Sequence, residues 1–256
     1  MKKFLSVLFV FVLALACVAC DNTPNVSEGE NNSVADNSNV STEAGDESVT
    51  DNSEAEVKVM TYAEFVAAEL DTLVCVETYV QAKQSWYENK GTFYTQNEEG
   101  AYYLYDMPCT EEEYNALTVG TKIRVTGYKA EWYGEIEITE AEFEVLEGSY
   151  VAEPIDVTDL LGTEELIEKQ NMYVSFNDLT IEKIEYKNGE AGDDIYVTVS
   201  KDGEEYSFCV ERYLTAPDTD VYKAFAELTQ GDVVDIEGFL YWYKGVNTHI
   251  TSVAKN

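Results

Sequence analysis

From Thr72 to Trp86 the chain alternates, with Val74, Val76, Thr78 and Val80 on one side and Leu73, Cys75, Glu77 and Tyr79 on the other. That two-residue period predicts a long strand. Ahead of it, Thr61-Tyr62-Ala63-Glu64 has the capping-box spacing before Phe65, Val66, Ala67 and Leu70, which predicts a short helix. Asn89-Lys90-Gly91 turns the chain into a strand from Thr92 to Gln96, and Asn97 to Gly100 turns it again into a third from Ala101 to Met107. Thr110 then caps a second short helix with Glu111, Glu112 and Glu113 in its first turn. Strands from Thr121 to Trp132 and from Glu135 to Val145 complete the set.

The order strand, strand, strand, helix, strand, strand is that of an OB-fold, a five-stranded Greek-key barrel. The second half repeats it. Leu117 to Tyr128 has a counterpart in Leu228 to Phe239, and the glycine pairs Gly120/Gly231, Gly127/Gly238 and Gly134/Gly245 share one offset of 111 residues. Upstream of that second match, strands are expected at Met172 to Ile184, Ile195 to Ser200 and Tyr206 to Arg212, followed by a helix at Asp220 to Leu228. Strands from Val233 to Tyr243 and Thr248 to Val253 close the repeat. Gly120 and Gly231 each end a helix, and Gly127 and Gly238 fall in the fourth strand, where a tight barrel must bend or bulge. The fold class is therefore mainly β, two tandem OB-fold barrels, expected at 57–150 and 151–256.

The segments YVQAKQSW with GAYYLYDM, GTKIRVTGYKAEWYGEIEI, GDVVDIEGFLYWY and HITSV resemble the tandem OB-fold surface lipoproteins of Gram-positive anaerobes. The resemblance covers nearly everything beyond residue 56. It implies the fold and a surface location, with no assigned reaction and no catalytic residue.

The first 56 residues are of another kind. Lys2 and Lys3 precede an apolar run from Phe4 to Ala19 and then Cys20, the layout of a secretory signal and too short to span a bilayer as a helix. Its end resembles a lipobox, so Cys20 is the expected lipid acceptor, with Cys17 as a competitor, and residues 1–20 are the expected signal peptide. Acylation would place an exported chain on the outer face of the cell membrane. Residues 21–56 hold ten acids, no base and no aromatic residue, and are expected to form a disordered acidic tether.

Composition narrows the function. The chain has 50 acidic and 16 basic residues, a formal charge of −34, and residues 57–256 keep 40 acids against 14 bases. That balance opposes partners held by phosphate neutralisation, so nucleic acid is the least favoured ligand on charge. Lys122, Arg124 and Lys129 are the one dense basic group, faced by Glu131, Glu135 and Glu137. His249 is the single histidine and is expected to be a hydrogen-bonded sheet residue. No nucleophile, phosphate or metalloprotease motif is present, so a non-catalytic protein without cofactor or metal is expected. The oxygen-rich loop from Lys187 to Asp194 lacks EF-hand spacing and is expected to be a solvated hairpin. Cys75, Cys109 and Cys209 are expected to be buried thiols.

The aromatic residues carry the functional expectation. Nineteen tyrosines fall largely on strands, where rings on an OB face stack on bases or sugars. Trp86, Tyr94, Tyr103, Tyr105, Trp132, Tyr196 and Trp242 are the candidate ligand-binding residues. Tyr102 and Tyr103 point to opposite faces, so no more than one of them should be core. The function expected from this pattern is a membrane-anchored extracellular binding or assembly module with a protein ligand, with glycan binding next and single-stranded nucleic acid last.

Overall fold

The computed structural model describes residues 57–256. The expected signal peptide, the acidic tether and Cys20 lie outside the described residues.

The elements run α1 (Tyr62–Ala67), β1 (Leu73–Lys83), β2 (Lys90–Gln96), β3 (Ala101–Pro108), α2 (Glu111–Ala116), β4 (Thr121–Trp132) and β5 (Glu135–Ser149). Both helices open with the capping boxes read from the sequence, Thr61 with Glu64 and Thr110 with Glu113. The strands close a barrel in the order β1-β2-β3-β5-β4, with β3 and β5 parallel through Tyr103/Glu137 and Leu104/Ile138. After a short β6 (Ile155–Asp156) follow β7 (Tyr173–Tyr186), β8 (Ile195–Lys201), β9 (Glu204–Val210), α3 (Asp220–Glu227), β10 (Val233–Phe239) and β11 (His249–Lys255). Their pairings repeat the first circuit: β7 with β8, β8 with β9, β9 parallel to β11 at Cys209/His249, β11 with β10, and β10 back to β7. The protein is mainly β, with two OB-type barrels.

Two strands stop three or more residues short of expectation, and β5 runs past it to Ser149. β10 stops at Phe239, short of Tyr243, because the Tyr241 N–H turns back onto Phe239 O at 2.7 Å and takes the chain out of the ladder. β1 stops at Lys83, short of Trp86, where the Ser85 N–H bonds to Tyr213 O of the second barrel. The repeated glycines fall where the alternation placed them. An ideal Cβ on Gly127 would lie 2.7 Å from Ile138 Cγ2, and one on Gly238 only 2.3 Å from His249 O, each where the strand register shifts.

Each barrel has its own core, built differently. In the second, Phe176, Phe208 and Phe225 are fully buried, and α3 supplies Phe225 and Tyr222 as the plug. In the first, α2 buries nothing; its C-cap Leu117 and the Phe65 of α1 fill the space, with Phe65 edge-on to Tyr102 at 4.9 Å. Lys129 fixes α1 by donating from Nζ to Phe65 O, Val66 O and Ala68 O at 2.7–3.0 Å.

A third, smaller core lies between the barrels, where Tyr94, Tyr103 and Phe239 are buried with Ala82, Tyr173, Leu214 and Tyr241 packed around them. Tyr102 and Tyr103 do point to opposite faces, yet both are buried, Tyr102 inside the barrel and Tyr103 against its neighbour. The expectation that one at most would be core is corrected: a strand covered on both faces has no solvent side. Cys75, Cys109 and Cys209 are buried free thiols.

Candidate functional site

The β4–β5 and β10–β11 connections are related by the repeat, which maps Trp132-Tyr133-Gly134 onto Tyr243-Lys244-Gly245. Tyr133 (φ 51°) and Gly134 (φ 96°) form a two-residue hairpin tip, and Lys244 (φ 59°) is left-handed at the equivalent place. The two tips meet. The Lys244 N–H donates to Tyr133 O at 2.8 Å, and a Cβ on Gly134 would lie 2.8 Å from Trp242 Cδ1, so only glycine admits that indole. Trp132 and Tyr133 meet edge to face at 4.8 Å, Tyr133 and Tyr243 at 5.2 Å. Lys244 Nζ lies over both tyrosines, 4.7 and 5.2 Å from their centroids. Trp132, Tyr133 and Tyr243 remain 55, 49 and 42% exposed. The result is one aromatic platform built from two loops, with a cation on it.

Beneath the platform the contact between barrels is polar as well as aromatic. Glu135 is fully buried; its Oε2 accepts from the Trp242 N–H at 2.8 Å and from Gln170 Nε2 at 3.3 Å, while Oε1 has no partner. Burial holds its pKa well above the ordinary carboxylate range, which favours the neutral form. The Tyr94 hydroxyl bonds to His249 Nδ1, and His249 stacks on Tyr241 at 4.2 Å. Burial pushes the imidazole down to about 3, which keeps it neutral and able to accept from the phenol. His249 is thus the hydrogen-bonded sheet residue that its place in the last strand implied.

The predicted ligand-binding residues separate into four groups. Tyr94 and Tyr103 are in the inter-barrel core, inaccessible to a ligand. Trp86 packs on the first barrel's core and donates from Nε1 to Cys109 O at 3.0 Å. Tyr105 and Trp132 are exposed; Tyr105 stacks on Tyr103 at 6.5 Å, and Trp242 is half-buried beneath Gly134. Tyr196 is exposed on β8, away from the tips. Reading residues by strand missed Tyr133, Tyr243 and Lys244 as a unit. The 111-residue offset is the signal that finds them, since carrying it past Gly134 and Gly245 makes the two tips equivalent positions of one repeat.

The basic group of β4 is engaged internally. Lys122 pairs with Glu77 at 2.7 Å, Arg124 with Glu77 and Glu144 at 2.9 and 3.2 Å, and Lys129 caps α1. In the Lys187–Asp194 loop, Asp194 is held by Lys187 at 2.8 Å and by the Arg212 N–H. Among the described residues no cluster of three or more His, Cys, Asp or Glu side chains has metal-binding geometry. Two shallow concavities of about 350 and 260 Å³ lie by Cys75 and Arg124 and by Ala152 and Phe239, and neither includes a tip residue.

No family model and no curated relative matches the chain. Solved structures are similar to it at low identity. A murine DNA-binding protein bound to double-stranded DNA is 12% identical with a TM-score of 0.36, over 71% of this chain and 96% of that one. The Ifi202 HINa domain in complex with 20-bp double-stranded DNA is 10% identical at 0.35, over 73 and 97%. A replication protein A heterotrimer bound to single-stranded DNA is 10% identical at 0.31, over 72 and 49%. With structures solved on DNA among the neighbours, the expectations of an assembly module, of a glycan ligand and of nucleic acid as the least favoured partner are corrected. Net charge alone does not decide the ligand class, since stacking on unpaired bases needs little phosphate neutralisation. At these scores no position of DNA in those complexes is transferred to a residue here.

Proposed function

We propose that the paired hairpin tips bind single-stranded nucleic acid, stacking unpaired bases on Trp132, Tyr133 and Tyr243 beside Lys244, without catalysis. The observation that carries this reading is the convergence of two repeat-related loops into one exposed aromatic platform. In OB-folds the connection between the fourth and fifth strands is a recurrent ligand-binding loop, and every base has a π-face to offer. The acidic surface sets the mode of binding. With the bases of β4 paired internally, Lys244 is the cation on the platform, so affinity comes from stacking and depends weakly on salt.

Fluorescence titration with a dT12 oligonucleotide tests this. Trp132→Ala and Tyr243→Ala should each weaken binding by about tenfold. The slope of log K against log salt should stay near about −0.7, the value for about one released phosphate counterion. Equal binding of a duplex of the same length, or unchanged affinity in both variants, would overturn the reading.

The sequence also supports export with a lipid on Cys20, as in the lipoproteins the chain resembles. Cys20→Ser should move the protein from the membrane fraction to the medium; retention of that variant would remove the assignment.

A further inference from the structure

β5 presents Ile136 and Ile138 to the first barrel's core, so Glu135 and Glu137, which alternate with them, face outward. Glu135 is covered by the second barrel. Glu137 is not: it is 8% exposed, pairs in register with Tyr103 and Ala130, and has no hydrogen bond or ion pair among the described residues. Its oxygens are not sealed from solvent, unlike Oε1 of Glu135. The exposed Tyr105 feels its charge, and the Tyr241 hydroxyl feels Glu135, Glu137, Tyr105 and Tyr243 together. A carboxyl group more than nine-tenths buried without a donor is costly unless something supplies one. Here it stands beside the exposed Tyr105, two residue pairs along the β4–β5 ladder from the Trp132/Glu135 pair that opens the tip.

We infer that Glu137 reads the base held beside Tyr105, accepting hydrogen bonds from ring N–H and exocyclic amino donors and so favouring guanine over thymine. The inference rests on the proposed single-strand site. Guanine offers N1–H and N2–H₂ side by side on its Watson–Crick edge, a match for the two oxygens of a carboxylate. Thymine offers one N–H flanked by two carbonyl oxygens, which a carboxylate repels. Burial first, and Asp106 second, push the Glu137 pKa up to about 7. The acceptor is therefore fully ionised only on the alkaline side of neutrality.

Titrations at pH 8 with d(GT)6, d(IT)6 and dT12 test this on the intact protein. Inosine keeps N1–H and lacks the N2 amino group, so the expected order is d(GT)6, d(IT)6, dT12, with about tenfold between the first and the last. Glu137→Gln should bring the three within about twofold of each other, by weakening d(GT)6 and relieving the repulsion of thymine. Equal binding of all three by the unaltered protein, or an unchanged preference in Glu137→Gln, would overturn the base-reading role. Tyr243→Ala separates the two ideas: the site reading fails if it leaves dT12 binding intact, whatever Glu137 does.

Discussion

The two barrels carry one circuit of strands and solve the same packing problem in opposite ways. The second is plugged by α3, whose Phe225 and Tyr222 are buried. The first takes no buried residue from α2, whose Tyr114 packs only partly against the core, and draws on Leu117 and on Phe65 of α1; ahead of β7 the second barrel has a short 3-10 helix, Glu164–Lys169, that buries Leu166. The repeat offset makes Tyr114 and Phe225 equivalent, yet Phe225 is fully buried while Tyr114 lies at the edge, its hydroxyl bonded to Gln84 O at 2.7 Å. A repeat fixes where a side chain starts. What covers it decides how much stability it contributes.

The widest test of that contrast is a pair of truncations. Phe225→Ala should cost about 4 kcal/mol, because a closed core cannot collapse into the void left by a ring. Tyr114→Ala should cost about 1 to 2 kcal/mol, the loss of one partly exposed ring and its hydrogen bond. Urea unfolding followed by circular dichroism gives both values. Equal losses would mean that the two helices plug their barrels alike, and the comparison would fall.

Phe239→Ala addresses the face where the barrels meet. Phe239 stacks on Tyr94 at 4.6 Å and lies 5.3 Å from Tyr173. Removing it should cost about 3 kcal/mol and split a single unfolding transition into two, since each barrel closes its own hydrogen-bond circuit. A single transition with an unmoved midpoint would show that the barrels are not coupled through this core.

That face also marks how far the sequence could be read. Strand alternation, capping boxes and glycine offsets are local, and they located nearly every element and the glycine-dependent bulges at Gly127 and Gly238. The fate of Tyr94 and Tyr103 was not local. Their spacing on β2 and β3 is the same whether the outer face meets solvent, a ligand or a second barrel, and only the placement of Phe239 and Tyr241 decides. The tip platform lay between these cases: its residues were visible as strand-end aromatics, but their convergence needed the repeat to be carried through to the loops.

Lys129→Met should have a smaller, one-sided effect. It leaves Phe65 O, Val66 O and Ala68 O without their donor, costing about 2 kcal/mol, and loosens α1 from the first barrel alone. Amide hydrogen exchange should rise over 62–70 and stay level over 220–228. Equal changes in both segments would mean that α1 supports the whole molecule and not one barrel.

The smallest effect is a pH dependence that belongs to the contact between barrels. Burial raises the Glu135 pKa above the value it takes when unfolded, so its stabilisation is complete below the unfolded carboxylate pKa and is lost as pH rises towards the folded one. Glu137 and Glu211, each raised to about 7 chiefly by burial, act in the same direction. His249, lowered to about 3, acts in the opposite one: its contribution is lost as pH falls from about 6.5 towards 3. Stability should therefore peak between about pH 5 and 6 and decline towards pH 8. Glu135→Gln keeps an acceptor for the Trp242 N–H and cannot ionise, so at pH 8 it should be more stable than the unaltered protein by about 1 kcal/mol, and equal to it near pH 5. General repulsion among the surface carboxylates is the same in both proteins and cancels in the difference. An identical decline in the two would place the pH dependence elsewhere and make the buried carboxyl a spectator at the joint.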